Sequence, residues 1–85
     1  MTYTVTYKPS AEQELATAWM NAPERESVTQ AAHRIDTLLK SAPHTQGESR
    51  DGTTRIMFER TLAVQFEIRE EDCLVEVLKV WWVGE

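Results

Sequence analysis

Leu62-Ala63-Val64-Gln65-Phe66-Glu67-Ile68 decides how the rest of this chain is read. Leu62, Val64, Phe66 and Ile68 alternate with Ala63, Gln65, Glu67 and Arg69. A period of two puts the first set on one face of a sheet and the second on the other. Arg55-Ile56-Met57-Phe58 lies just upstream, and Cys73-Leu74-Val75-Glu76-Val77-Leu78-Lys79-Val80-Trp81-Trp82-Val83 just downstream. Both are made of strand-forming types. The connectors Glu59-Arg60-Thr61 and Arg69-Glu70-Glu71-Asp72 are short and polar, as hairpin loops are. Together they predict an antiparallel meander with one apolar face and one partly wet face.

The residues before the meander must cover its apolar face. Tyr3-Thr4-Val5-Thr6-Tyr7 alternates as a first strand, and Lys8-Pro9 ends it because proline gives a ladder no N–H. Ser10 reads as a helix N-cap with Gln13 completing a capping box, and Glu12 and Glu14 suit the first turn. The helix, Ala11 to about Asn21, carries a stripe of Ala11, Leu15, Ala18 and Trp19 before Ala22-Pro23 breaks it. A second helix from about Glu24 to Lys40 sets Val28, Ala31, Ala32, Ile35, Leu38 and Leu39 on one side. The short linker makes the two an antiparallel hairpin. Ser41 to Asp51 is polar and reads as irregular. The expectation is an α+β fold of two layers in order β-α-α-β-β-β: a helical hairpin on a four-stranded, mostly antiparallel sheet, one domain over residues 1–85.

Composition narrows the function. Nine basic residues against fourteen acidic ones leave a net charge of −5. A protein that grips nucleic acid through many phosphates carries the opposite balance. A single cysteine, Cys73, excludes an internal disulfide and is expected to pack as a thiol. With no apolar run of about 18 residues and no basic-then-apolar leader, a cytoplasmic protein without a membrane span is expected. Two histidines and one cysteine, far apart, offer no metal-ligand spacing, and no phosphate loop or Ser-His-Asp pattern occurs. No cofactor is expected.

The order of elements resembles the RelE/ParE toxin superfamily of bacterial type II toxin–antitoxin modules. The resemblance rests on Tyr-Thr-Val-Thr-Tyr followed by Pro-Ser-Ala-Glu-Gln-Glu-Leu, and on the exit Ile35-Asp36-Thr37-Leu38-Leu39-Lys40-Ser41-Ala42-Pro43. Gly52-Thr53-Thr54-Arg55, Val64-Gln65-Phe66-Glu67-Ile68 and Leu74–Val80 look like the family's later strands. The resemblance implies either a ribosome-dependent mRNA endonuclease or an inhibitor of DNA gyrase, held inactive by a wrapping antitoxin. Metal-free cleavage beside a 2′-hydroxyl needs a base, cations for the phosphorane charge and an acid. Where nuclease members carry arginine and tyrosine on the third strand, this chain is aligned with Ala63 and Phe66. Trp81-Trp82-Val83-Gly84-Glu85 stands in place of a His-Arg pair and a closing tyrosine. Neither Ala63, Phe66 nor the two indoles move a proton at neutral pH.

Two sets of candidates remain. For catalysis these are Arg50 and Arg55 as phosphate clamps, with Glu48 or His44 as base; His44 and Glu48 would be an acid–base couple. If Ile56 and Phe58 face the core, Arg55 points to the open face; Arg50, Arg55 and Arg60 then cluster about one strand. The competing reading pairs them with Glu48, Asp51, Glu59 and Glu67 as surface ion pairs of little weight. His33 reads as a packing residue beside the second helix's stripe. For a protein partner the candidates are Trp81, Trp82, Arg60 and Lys79: adjacent tryptophans on a strand face opposite ways, so one packs under the helices and the other stands on the open face. Antitoxin, DNA gyrase, the ribosome and a second copy in a homodimer are the partners considered. The expected function is a toxin or toxin homologue acting through a protein-binding face; the alternatives are the endonuclease and a catalytically silent interaction module.

Overall fold

Two long antiparallel strands, β4 (Leu62–Arg69) and β5 (Leu74–Trp82), form the centre of the fold. The computed structural model describes residues 2–84, and of Arg50 and Asp51 the backbone alone. A sheet of order β1-β5-β4-β3-β2 is built from them with β1 (Thr4–Tyr7), β2 (Glu48–Asp51) and β3 (Thr54–Glu59). The β1–β5 pairing is parallel and the others are antiparallel, so the sheet is mixed. Helices α1 (Pro9–Asn21) and α2 (Arg25–Ser41) cover one face.

The core lies where the alternation of β4 places it. Leu62, Val64, Phe66 and Ile68 meet Val75, Val77 and Val80 of β5 and Val28, Ala31, Ile35 and Leu39 of α2. Each of the larger side chains contributes about 1.5–3 kcal/mol by leaving water. Cys73 is half-buried against this cluster. Among the described residues no helix is long and apolar enough to cross a membrane.

The sheet has five strands, one more than the sequence reading expects. Within the segment expected to be irregular, Pro43–Thr45 forms a 3₁₀ turn and Glu48–Asp51 pairs with β3 as an edge strand. That strand has no apolar alternation, so periodicity is silent about it; the two-residue loop Gly52-Thr53, with glycine first at φ +56°, is its hairpin signature. The capping box does not form either. Pro9 opens α1 at its first position, after Lys8, and no side chain caps it. Proline's missing N–H is one of the groups a helix start leaves unpaired anyway.

Two faces also differ from expectation. Met57 of β3 is buried against Val64, so Ile56 and Phe58 turn outward and Phe58 is 66% exposed. In α1 the stripe sinks Ala11 and Ala18 but leaves Trp19 at the rim, and His33 of α2 is exposed.

Gly47 turns the chain into β2 at φ +64°, and a Cβ there would meet the Ile56 carbonyl oxygen at 2.0 Å. At Gly52, equally left-handed, a Cβ would meet nothing. Gly52→Ala is therefore expected to cost about 1 kcal/mol, and Gly47→Ala more than about 2 kcal/mol, in urea unfolding. Equal costs would mean that the close approach at Gly47 does not exist.

Candidate partner-binding site

The sheet face away from the helices is open, and register orders its side chains into rows. Phe58, Ala63 and Trp81 face one another across β3, β4 and β5. The next row is Glu48, Ile56, Gln65 and Lys79, and beyond it stand Thr54, Glu67 and Glu76. Ala63 is wholly buried although it lies on this face. Its large neighbours Phe58 and Trp81 flank it, as directly opposed residues on paired strands do. The result is an apolar patch at one end of the face, next to Lys79. At the other end Arg69 binds Glu67 at 3.3 Å and Glu76 at 3.0 Å, which neutralises much of the charge there.

A β-bulge decides which tryptophan belongs to this patch. Gln65 pairs with Lys79 but Phe66 pairs with Val77, leaving Leu78 unmatched. The extra residue lets Val75, Val77 and Val80 all face the core while Lys79 turns outward. Trp81 thus falls on the open face and Trp82 on the helix side. Trp82 borders a cleft of about 420 Å³ against Gln13, Thr17 and Asn21 of α1, and Trp81 reaches the lining of the same cleft. Neither ring is buried: Trp81 is 37% exposed and Trp82 42%. Beyond the end of β1, Glu14 covers the bare edge of β5, its Oε1 accepting the Val80 N–H at 2.8 Å.

The expected arginine cluster does not assemble. Arg55 and Arg60 flank β3 at opposite ends, roughly 15 Å apart at the rise of a strand, and the Arg50 side chain lies outside the described residues. Arg55 points to the helix side, as Met57 does. Its Nε donates to the Gln46 carbonyl at 2.8 Å and its Nη2 to the Gly47 carbonyl at 3.0 Å, so the guanidinium ties down the turn into β2. Arg60 holds a left-handed φ of 54° in the β3–β4 turn.

The expected His44–Glu48 couple is replaced by another. Glu48 stands on the edge strand, while His44 Nε2 meets Glu70 Oε1 at 2.5 Å. Tyr3 donates its hydroxyl to the same carboxylate, at 2.8 and 3.0 Å to the two oxygens. These residues join the exit of α2, the start of β1 and the β4–β5 turn, a meeting of distant segments that no local pattern announces. The hydrogen bond from His44, then that from Tyr3, lowers the pKa of the Glu70 carboxyl. The bond to Glu70 raises that of the Tyr3 hydroxyl, with burial adding to it. His44, Arg55 and Glu70 line a cleft of about 420 Å³, but the guanidinium is already engaged with backbone. Among the described residues the open face holds no histidine or tyrosine, and no three His, Cys, Asp or Glu gather as a metal site.

The fold is shared, over nearly the whole chain, with solved toxin structures. A chain of the toxin–antitoxin complex RelBE2 from Mycobacterium tuberculosis superposes with a TM-score of 0.78 at 17% identity, covering 100% of this chain and 95% of that one. The chromosomal ParDE system of Pseudomonas aeruginosa gives 0.71 at 13% identity, over 98% of each chain. This chain has the RelE/ParE toxin fold. The intact Escherichia coli RelBE toxin–antitoxin complex gives 0.70 at 15% identity, over 98% of this chain and 99% of that one. No model of a known protein family and no curated protein matches the sequence.

Within this RelE/ParE-like fold, Phe66 faces the helices and Ala63 the open side, so the two positions compared with nuclease residues lie on opposite faces. Phe58 and Ile56 are the open-face residues that sequence reasoning missed; three apolar residues in a row carry no alternation, and only the Met57–Val64 pairing shows which way they turn.

Two outcomes follow from the anchored turns. A carboxyl with a lowered folded-state pKa contributes stability above its unfolded pKa and loses it as pH falls through the folded value. Unfolding midpoints from pH 7 down to pH 2 are thus expected to fall more steeply for the native chain than for Glu70→Gln, the gap closing at the acid end. Arg55→Ala, which frees two carbonyls, is expected to cost about 1.5–3 kcal/mol in urea unfolding. A loss below about 0.5 kcal/mol would show the turn to be held by other contacts.

Proposed function

We propose that this chain is a toxin, or a toxin homologue, of a type II toxin–antitoxin module of the plasmid-stabilisation kind, working in the cytoplasm through its open sheet face. A cognate antitoxin segment laid over that face would neutralise it. The observation that carries the reading is the row Phe58–Ala63–Trp81: exposed aromatics around a buried alanine, beside Lys79 and short of the ion-paired end. Large aromatic side chains on a rigid sheet are the anchors on which protein interfaces concentrate their energy. The neighbours crystallised as toxin–antitoxin complexes support an antitoxin as the partner. DNA gyrase or another protein suits the downstream role better than ribosome-bound mRNA, because among the described residues the open face offers no histidine or tyrosine for proton transfer, and the chain is acidic.

Induction of the chain in a bacterial host is expected to arrest growth, and co-expression of the small protein encoded beside it to restore growth. Phe58→Ala and Trp81→Ala are each expected to weaken that partner's binding by about 2 kcal/mol, near thirtyfold, in calorimetry. Binding without arrest would identify a silent interaction module. Arrest accompanied by cleaved messages would identify the ribosome-dependent endonuclease instead.

A further inference from the structure

Beyond the end of β1, the edge of β5 offers backbone groups to the cleft beside Trp82. β1 pairs with β5 only from Leu74 to Val77, and the Lys8 N–H closes that ladder on the Val77 carbonyl at 3.0 Å. From there on β5 has a strand on its β4 side alone. In an antiparallel pair, successive residues turn their backbone groups alternately toward the partner strand and away from it. The Val83 N–H donates to the Thr61 carbonyl, on the β4 side, at 2.8 Å, so Trp82 and Val80 direct their groups the other way. Glu14 takes the Val80 N–H at 2.8 Å. The Val80 carbonyl, the Trp82 N–H and the Trp82 carbonyl are left, in the order acceptor, donor, acceptor.

The cleft of about 420 Å³ between this edge and α1 is of the size that small molecules occupy, roughly 300–1,000 Å³. Trp81 and Trp82 point to opposite faces of the sheet, yet both line it, so the cleft wraps the strand edge with an indole on either side. A flat ring lying in the plane of the sheet meets backbone at its rim and an indole toward each face, and aromatic side chains hold nucleobases by such stacking. Gln13, Thr17 and Asn21 line the α1 side, and their side chains make no hydrogen bond with another described residue. Glu14 is the one ionisable group among the described lining residues. A polypeptide strand suits this edge less well. The bare stretch runs only from Val80 to Trp82, and Glu14 already sits where a neighbouring strand's carbonyl belongs.

We infer that this edge binds a neutral adenine-type heterocycle, as the free base or its nucleoside. The exocyclic amino group of adenine donates to the Val80 carbonyl, and the adjacent ring nitrogen accepts from the Trp82 N–H. Diaminopurine brings a second amino group to the Trp82 carbonyl. Hypoxanthine and guanine present a carbonyl and a ring N–H at the first two places, so oxygen faces oxygen and N–H faces N–H; polar groups left unpaired in this way are what reject a wrong ligand. The amides and hydroxyl of Gln13, Thr17 and Asn21 suit the hydroxyls of a ribose. A phosphate meets the Glu14 carboxylate and a chain of net charge −5, which disfavours nucleotides. The site is independent of the toxin assignment and of the antitoxin.

Calorimetric titration of the full chain with adenosine, diaminopurine riboside, inosine and AMP tests the inference. Adenosine is expected to bind about tenfold more tightly than inosine, and diaminopurine riboside about threefold more tightly than adenosine. AMP is expected to bind about threefold more weakly than adenosine, with the gap closing as salt is added. In ¹H–¹⁵N spectra of the native chain, adenosine should move the Trp82 backbone amide and leave the Trp19 indole in place. Trp82→Ala should lose about tenfold in adenosine affinity and Trp19→Phe none, with thermal melts to confirm that both variants fold. Equal affinities for adenosine and inosine, no binding, or a Trp82 amide that does not move would overturn the inference. So would displacement of adenosine by an extended tetrapeptide that binds more tightly, which would assign the edge to a polypeptide strand.

Discussion

Val64, Phe66 and Ile68 of β4, with Val75, Val77 and Val80 of β5, form an apolar strip that α1 and α2 keep from water. The rest of the structure depends on that strip staying dry. Phe66 has no exposed surface, and Ile35 and Leu39 of α2 are buried as completely. Shortening Phe66 would forfeit its transfer energy and leave a cavity between sheet and helices, about 3–5 kcal/mol together. The peripheral elements follow from this one contact. β1 pairs parallel to β5, the strand the chain reaches only after the helical hairpin and the antiparallel ladder. Glu14 then covers the part of β5 that the short β1 does not reach.

The bulge in β5 is how the apolar strip and the open face are reconciled. Without it, Lys79 would share a face with Val77, a lysine buried under the helices at a prohibitive desolvation cost. With it, Lys79 and Trp81 turn outward beside Gln65 and Ala63, and the open face acquires an exposed aromatic ring next to a cation. The device that protects the core therefore also equips the surface. The left-handed Arg60 at one end of β3, and the Arg55 guanidinium gripping the turn at the other, serve the same rigid presentation of Phe58.

The RelE/ParE toxin fold is thus carried here by a chain whose charge and polar groups are arranged unlike those of a nucleic-acid binder. A close Tyr-Glu-His constellation, Tyr3–Glu70–His44, binds three chain segments together at the rim. The open face presents aromatic and ion-paired side chains. Acidic residues are in excess overall.

The meander, the two helices and most of the core were legible in the sequence, because period two along Leu62–Ile68 and the three-four rhythm of Val28, Ala31, Ile35 and Leu39 are statements about a single segment's own faces. The candidate site was only half legible. Adjacent tryptophans had to diverge, but which of them faces outward hung on a bulge that exists only when Gln65 and Phe66 choose partners on β5. The side taken by Phe58 is open in the sequence because nothing in Arg55–Phe58 alternates. The edge strand Glu48–Asp51 was missed because β3 supplies its hydrogen bonds, and the meeting of Tyr3, His44 and Glu70 spans 67 residues of chain. Local repetition determines the elements and their relative faces. Register between strands, which belongs to no single segment, decides which face becomes core and which becomes surface.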